Sequence, residues 1–226
     1  MNMHLNALYA QDHDCRLTAI NQWDGGLVPR FHLGRTATGN LWRFRADLPD
    51  TLTSELTACC ELEPPLDAAD PLPKYRATYE RLLAEHAAIE SIQAGPAYFA
   101  PESMSKDVPD TIMIDRQNAG LLRSSMPDWL EDAAHRSPFV AALDNDRIVA
   151  VCASVRITSA AHEAGVETLP GHRRRGHGRR AVVAWAQAVR RTGALPMYST
   201  SWENRASQAL ARVLGFEPIG ADYKVR

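Results

Sequence analysis

The chain has few cysteines, almost no net charge and no long apolar run, and each shortage excludes a class of protein. Four cysteines occur in 226 residues, two of them adjacent and none in a CxxC pair. This spacing signals neither a disulfide framework nor a zinc site. The formal net charge of −2 argues against a protein whose whole surface binds nucleic acid or an anionic membrane. Any basic site must therefore be local.

Segments for targeting or membrane insertion are lacking too. The most apolar stretch, Ala181 to Val189, is too short to span a bilayer. The N-terminal residues lack the basic and apolar regions of a signal peptide, so we expect a cytoplasmic protein with no membrane partner. With 45% apolar and 23% charged residues, the chain has the composition of a folded globular protein rather than a disordered one.

The front half carries the weaker structural signals. Alternation of apolar and polar residues predicts a hairpin within residues 30–45, and helical spacing predicts helices at 48–62 and 74–92. The proline-rich stretch 63–73 is typical of a loop, and Gly95-Pro96 is expected to break the chain.

From Phe139 to Val225 the pattern predicts the order strand, strand, strand, helix, strand, helix, strand. This order is typical of a mixed α/β fold. With the breaks before it, the pattern predicts an N-terminal domain at residues 1–110 and a second domain at residues 111–226.

One motif, Arg173-x-x-Gly176-x-Gly178, lies between a predicted strand and a predicted helix. Its two glycines let the backbone turn sharply and approach a ligand closely. The start of the helix offers unpaired N–H groups and a positive dipole end, which suit a pyrophosphate. Five arginines add positive charge there: Arg173, Arg174, Arg175, Arg179 and Arg180. The motif matches neither the Walker A pattern nor the Rossmann fingerprint.

Two blocks of sequence resemble the GCN5-related N-acetyltransferase (GNAT) superfamily, and within it the FR47-like acyltransferases. The block from Glu163 to Gly178 is similar to the family's fourth strand, its Pro-x-x-Arg corner and its pyrophosphate loop. The block from Tyr198 to Ser207, followed by Leu214-Gly215-Phe216, is similar to the fifth strand and the last helix. The resemblance covers about residues 139–225, under half of the chain.

The resemblance implies a mixed α+β fold with a splayed central sheet flanked by helices, preceded by an N-terminal α/β region. Residues 111–226 would form the catalytic domain that binds acyl-CoA. Residues 1–110 would form either a degenerate acyltransferase-like half or a cap over the acceptor.

The resemblance also implies where acetyl-CoA, the expected co-substrate, would bind. Its pantetheine arm would lie in a V-shaped opening between the fourth and fifth strands, and a backbone N–H near Val166 or Thr168 would polarise the thioester carbonyl. No metal is expected. The implied cofactor-binding residues are Val166, Glu167, Thr168, Arg173, Arg174, Arg175, Gly176, His177, Gly178, Arg179, Asn204 and Ser207.

Amine acylation needs a base for the amine proton and an acid for the leaving thiolate. On the fourth strand the base candidates are Glu167 and Glu163 with equal weight, and His162 with less. Strand parity places the two glutamates on one face and His162 on the other, unless a bulge intervenes.

The sequence departs from the family at the position that usually supplies the general acid. Many members carry a tyrosine four residues before the glycine of Leu-Gly-Phe, and here Ala211 stands at that position. Three explanations stay open: Ser207 donates the proton directly or through water, Tyr198 or Tyr223 reaches in from a strand, or the thiolate leaves without a protein acid.

The leading hypothesis is an acyl-CoA-dependent N-acyltransferase that acts on a primary amine of a small molecule or a protein. The resemblance also allows a homodimer. A non-catalytic CoA-binding or sensing protein is the first alternative, because of Ala211. A nucleic-acid-binding module that uses the run Arg173 to Arg180 is weaker, because no aromatic residue interrupts this short run.

Overall fold

The computed structural model describes residues 1–104 and 108–226. Its helices are α1 (Asn2–Leu8), α2 (Asp50–Leu62), α3 (Arg76–His86), α4 (His177–Arg191) and α5 (Arg205–Val213). Its strands are β1 (Tyr9–Gln11), β2 (Leu17–Ile20), β3 (Phe31–Thr36), β4 (Gly39–Phe44), β5 (Ile92–Phe99), β6 (Thr111–Met113), β7 (Phe139–Asp144), β8 (Arg147–Ile157), β9 (Ala161–Thr168), β10 (Leu195–Ser199) and β11 (Glu217–Val225). Short 3-10 helices lie at Ala119–Leu122, Pro127–Trp129, Glu131–Ala134 and Pro170–His172.

The chain forms two compact units, and both are discontinuous in sequence. The first unit contains Met1–Tyr98, Ser199–Gln208 and Pro218–Arg226, and the second contains Phe99–Tyr198 and Ala209–Glu217. The domain boundary between residues 110 and 111 stays a prediction. The mixed α/β character of the chain is confirmed. Among the described residues, none of the helices combines the length and the apolar character that crossing a bilayer requires.

In the first unit the strands follow the order β4-β3-β11-β5. The predicted hairpin of residues 30–45 is β3 and β4, which pair antiparallel, and the helix predicted at 48–62 is α2. Helices α2 and α3 pack on this sheet around a core that includes Phe31, Leu56, Tyr79, Leu83 and Val225. The helix predicted at 74–92 ends earlier, at His86.

The expected chain break at Gly95-Pro96 is wrong, because both residues lie inside β5. The Thr200 N–H donates to the Pro96 carbonyl at 3.1 Å, and the Trp202 N–H donates to the Ala94 carbonyl at 3.0 Å. A Cβ on Gly95 would collide with the Thr200 carbonyl oxygen. Glycine therefore permits a close backbone approach here, and the proline needs only its carbonyl for pairing.

A buried histidine is expected to make the first unit sensitive to acid. His32 is fully buried, and its ring nitrogens lie 3.1 Å from Asp222 Oδ1 and 3.1 Å from the Tyr9 hydroxyl. Burial lowers the pKa of His32 from 6.5 to about 4, although Asp222 opposes this shift. The folded protein therefore keeps a neutral ring that the unfolded chain protonates as the pH falls below 6.5.

We expect the free energy of unfolding to fall by about 2 kcal/mol between pH 7 and pH 5 from this residue alone. Urea unfolding at several pH values measures the fall. A His32→Gln variant should lose this part of the pH dependence, whereas His13→Gln, at an exposed position, should keep it. Equal pH dependence in the wild type and His32→Gln would show that His32 is not the responsible group.

In the second unit the strands follow the order β10-β9-β8-β7-β6. Helix α4 packs across β7, β8 and β9. One apolar face of α4 is fully buried: Val182, Trp185, Ala186 and Val189 are all inaccessible to solvent. This packing fixes the start of α4 beside the end of β9, where the sequence places its glycine motif.

Candidate active site

Strand β9 has a partner along only part of one edge. Its parallel pairing with β10 joins Ala161 to Leu195 and ends where Glu163 meets Met197. The antiparallel pairing with β8 continues on the other edge as far as Thr168. Within the described part of the chain, residues 164–168 therefore have no paired partner on the β10 side. This is the divergence that the predicted V-shaped opening requires.

The hydrogen-bonding direction of β9 shows which backbone groups face the open edge. The Leu169 N–H donates to the Val149 carbonyl at 2.9 Å, towards β8. Because backbone groups alternate along a strand, those of Thr168 and Val166 point away from β8. Arg173 Nε donates to the Thr168 carbonyl at 3.1 Å. The predicted oxyanion donors, the N–H groups of Val166 and Thr168, thus lie on the open edge.

The two candidate glutamates lie on one face of β9, as strand parity predicts. The bulge in this part of the sheet places its extra residue, Val155, in β8, so the alternation along β9 is kept. Trp129 lies on the glutamate face: its indole N–H donates to Glu167 Oε2 at 2.6 Å. Glu167 is exposed, whereas Glu163 is 3% exposed.

His162 faces α4 on the opposite side of the sheet. The indole N–H of Trp185 donates to Ser154 Oγ at 3.0 Å, and Ser154 Oγ lies 2.9 Å from His162 Nδ1. Trp185, Ser154 and His162 thus form a continuous buried hydrogen-bonded chain. Burial lowers the pKa of His162. This histidine is therefore a neutral member of a buried chain, which suits packing better than catalysis.

Beyond β9 the chain passes through a segment that we call the glycine turn, residues 170–178. Arg174 and Gly176 have left-handed backbones, with φ of 60° and 85°. Gly176 opens α4 without a side-chain cap, and its carbonyl accepts from the Arg180 N–H at 3.0 Å. The preceding N–H groups therefore lack partners inside the helix. Such a helix start fits a diphosphate group, as the motif predicts.

Close packing explains the second glycine of the motif. A Cβ on Gly178 would lie 2.8 Å from Thr168 Oγ1. The end of β9 and the start of α4 are therefore held against each other. This contact brings the open backbone edge of β9 and the glycine turn together in the second unit.

The arginines of the motif divide into paired and exposed residues. Arg180 binds Asp110 at 2.6 Å and the Leu143 carbonyl at 2.8 Å. Arg175 lies 3.4 Å from Asp144. Arg174 and Arg179 are exposed and form no ion pair with any described residue. The positive charge available to a ligand is thus smaller than the sequence suggests.

A cavity of about 690 Å³ adjoins the turn and has acidic and basic walls. Asp144, His172 and His177 meet there, with one ligand atom of each within 4.8 Å of the others. However, the Arg180 guanidinium, which can only donate, lies 2.7 Å from His177 Nδ1. The proton of the neutral ring therefore sits on Nε2, which lies 3.6 Å from Asp144 Oδ2, beyond hydrogen-bond distance. Two nearby arginines and a protonated Nε2 do not suit a cation.

The acid candidates have different surroundings. Ala211 is 1% exposed. The Tyr223 hydroxyl donates to Glu80 at 2.6 Å, and burial raises the pKa of Tyr223. Tyr223 is therefore poorly suited to protonate a leaving thiolate. Tyr198 is buried, with its ring 5.5 Å from that of Phe216.

Two further predicted cofactor residues, Asn204 and Ser207, belong to the first compact unit. Asn204 Oδ1 accepts from the Ser207 N–H at 3.0 Å, so Asn204 caps the start of α5. The other ten predicted cofactor residues all lie in the second unit, on β9, the glycine turn and the first turn of α4.

Sequence reasoning missed Trp129, Asp110 and Asp144. Trp129 is 38 residues from Glu167, and Asp144 is 28 residues from His172. Neither contact has a local sequence signal.

Comparisons with known proteins point to one family. Residues 130–225 match the family model described as GNAT acetyltransferase. A GNAT-family protein from Novosphingobium aromaticivorans superposes with a TM-score of 0.50 at 16% identity, over 61% of this chain and 66% of that chain, just under two thirds. A conserved protein of unknown function from Staphylococcus epidermidis gives a TM-score of 0.50 at 14% identity, over 82% of this chain and 83% of that chain. No curated protein sequence matches.

At these identities the structural matches show the fold alone, and this fold is the one that the sequence resemblance implies. The FR47-like subtype stays a prediction. The family match covers β9, the glycine turn and α4, which are the elements that form the candidate site. Residues 130–225 are therefore similar to GNAT acetyltransferases.

Proposed function

We propose that the chain is an acyl-CoA-dependent N-acyltransferase, with acetyl-CoA as donor and a primary amine as acceptor. One observation carries the proposal: β9 parts from β10 after Glu163, and its open edge leads directly into an uncapped helix start. A thioester cofactor needs both features, because its amide-bearing arm can pair with strand backbone and its diphosphate needs N–H donors.

Within this site the residues of the chain have separate roles. The backbone N–H groups of residues 174–178 and the exposed side chains of Arg174 and Arg179 would hold the diphosphate. The N–H groups of Val166 and Thr168 would hold the pantetheine arm and polarise the thioester carbonyl. Acetyl-CoA supplies the activated acyl group. Roles for Arg173, Arg175, His177, Asn204 and Ser207 in cofactor binding remain part of the same proposal.

Glu167 is the general base in this proposal. It is exposed, so it can exchange protons with solvent, and it neighbours the two N–H groups that face the open edge. The carboxylate takes a proton from the amine as nitrogen attacks the thioester carbonyl. Trp129 fixes its orientation through the 2.6 Å hydrogen bond. Glu163, which is buried where the strands part, shapes the site.

Trp129→Phe is expected to lower kcat about tenfold, because the carboxylate loses the donor that orients it. Steady-state kinetics with acetyl-CoA and a responsive amine measures the loss. The control is a double-mutant cycle with Glu167→Gln. If Trp129 acts through Glu167, adding Trp129→Phe to Glu167→Gln lowers kcat no further, whereas an additive loss would separate the two residues.

The experiment that tests the function is acetyl-CoA-dependent thiol release over a panel of primary amines and lysine peptides. Acylated amine, detected by mass, must accumulate in step with free CoA. Thiol release without an acylated amine would show that the protein hydrolyses the thioester and does not transfer the acyl group to an amine. The acceptor, small molecule or protein, is the one that gives the highest kcat/KM.

Ala211 favours a second candidate, a CoA-binding protein without turnover. A buried alanine stands where many family members carry the acid, and Tyr223 is engaged by Glu80. Tight CoA binding with no acylated product over the whole panel would favour this candidate. Turnover would instead show that Ser207, Tyr198 or the thiolate's own stability as a leaving group is sufficient.

A further inference from the structure

The carboxylate of Asp144 lies against the glycine turn. Asp144 ends β7, and its Oδ2 atom has three contacts with side chains of the turn. His172 Nδ1 lies 3.1 Å away, an Arg175 guanidinium nitrogen 3.4 Å away and His177 Nε2 3.6 Å away. One carboxylate thus ties the β7–β8 hairpin to the segment that connects β9 with α4.

These contacts are partly shielded from water. The Asp144 side chain is 21% exposed, and that of His177 is 7% exposed. Partial burial makes a charge interaction stronger than at the open surface. His177 is also held from its other side, because its Nδ1 atom accepts a hydrogen bond from Arg180 at 2.7 Å.

The turn needs such an anchor because it is strained and positively charged. Two of its residues, Arg174 and Gly176, have left-handed backbones, and arginines crowd the same segment. Mutual repulsion favours other conformations of the turn when no anion is bound. A carboxylate bound to the side chains opposes this repulsion and leaves the backbone N–H groups for a ligand.

We propose that Asp144 is a positioning residue that holds the glycine turn in the conformation that binds the diphosphate of acyl-CoA. The effect on acyl-CoA binding rests on the proposed function, whereas the stabilisation of the turn by Asp144 does not. A turn that is ordered in advance lowers the cost of binding. Loss of Asp144 therefore weakens acyl-CoA binding and leaves the chemical step nearly unchanged.

The test compares Asp144→Asn with Asp146→Asn in the full chain. Asp146 is exposed in the same hairpin turn and lines the same cavity, but the ion pairs with the glycine turn belong to Asp144. The control therefore makes the same change of charge without removing these contacts. The first readout is amide hydrogen exchange of residues 170–178 in the free protein. The second is the Kd of acetyl-CoA from calorimetry, with kcat and KM beside it.

Asp144→Asn is expected to speed exchange in residues 170–178 and to raise the Kd about tenfold, with kcat within about twofold of wild type. Asp146→Asn should change neither the exchange in residues 170–178 nor the Kd. Asp144→Glu, which keeps the charge, should recover part of the affinity. A lower melting temperature with unchanged exchange and unchanged KM would reduce Asp144 to a structural residue and overturn the proposal.

Two other outcomes are decisive. If the turn loosens in Asp144→Asn but acetyl-CoA binds neither protein, the hold on the turn is supported and the proposed function fails. If zinc chloride raises the melting temperature of wild type but not of Asp144→Asn, the cluster with His172 and His177 is a cation site, and the positioning role is overturned.

Discussion

Replacing Gly176 by aspartate is expected to abolish the rise in melting temperature that acetyl-CoA gives the wild-type protein. Gly176 opens α4 without a side-chain cap, where the helix dipole and free N–H groups favour an anion. Aspartate places a negative charge where we propose that the diphosphate binds. A ligand at a hundred times its Kd stabilises the folded state by about 2.7 kcal/mol, and this stabilisation is what the variant loses. Scanning fluorimetry with acetyl-CoA, longer acyl-CoAs and CoA measures it.

Gly193 offers a matched control just beyond the opposite end of α4. It has φ of 88° against 85° for Gly176, and a Cβ would meet no atom within 4 Å at either position. Gly193→Asp therefore carries similar backbone strain and the same change of charge. We expect it to keep the full shift with acetyl-CoA, whatever its own melting temperature. Equal shifts in wild type and Gly176→Asp would contradict the proposed position of the cofactor.

Replacing Glu167 by glutamine is expected to lower kcat by about 10²–10⁴, because the amide cannot accept the amine proton. The affinity for acetyl-CoA should change little, because backbone groups of β9 and the turn carry the proposed cofactor contacts. Steady-state kinetics for kcat and calorimetry for acetyl-CoA separate the two effects.

Glu163→Gln is the contrast, because both glutamates lie on one face of β9 and sequence alone gives them equal weight. Glu163 is buried where β9 and β10 part, so its change should affect stability more than kcat. A large loss of kcat in Glu163→Gln together with a small loss in Glu167→Gln would assign the base to Glu163.

Local signals explain how much of the site could be predicted. The glycine turn, α4 and the alternation of β9 depend on residues close in sequence, so their patterns were sufficient. The turn at Gly176 needs a left-handed residue, and Gly178 needs the absence of a Cβ against Thr168. Glycine meets both requirements, so both are visible in the sequence.

The remaining features depend on distant residues. Gly95 and Pro96 break a local strand pattern, yet residues 200–202 supply the partner that makes β5 a strand. Trp129 reaches Glu167, and Asp144 reaches the glycine turn, only after the sheet has formed. Sequence periodicity does not indicate contacts between distant residues. The contact of Trp129 with the proposed base and the contact of Asp144 with the glycine turn are therefore visible only in the structure.

The most direct test of the cofactor site is a backbone amide NMR titration of the ¹⁵N-labelled protein with acetyl-CoA. The account predicts that the largest shifts fall on residues 174–178 and on Val166 and Thr168. It also predicts that Gly176→Asp removes these shifts while Gly193→Asp keeps them. Shifts confined to other residues, or no shifts at a saturating concentration, would contradict the central claim that the open edge of β9 and the glycine turn bind acyl-CoA.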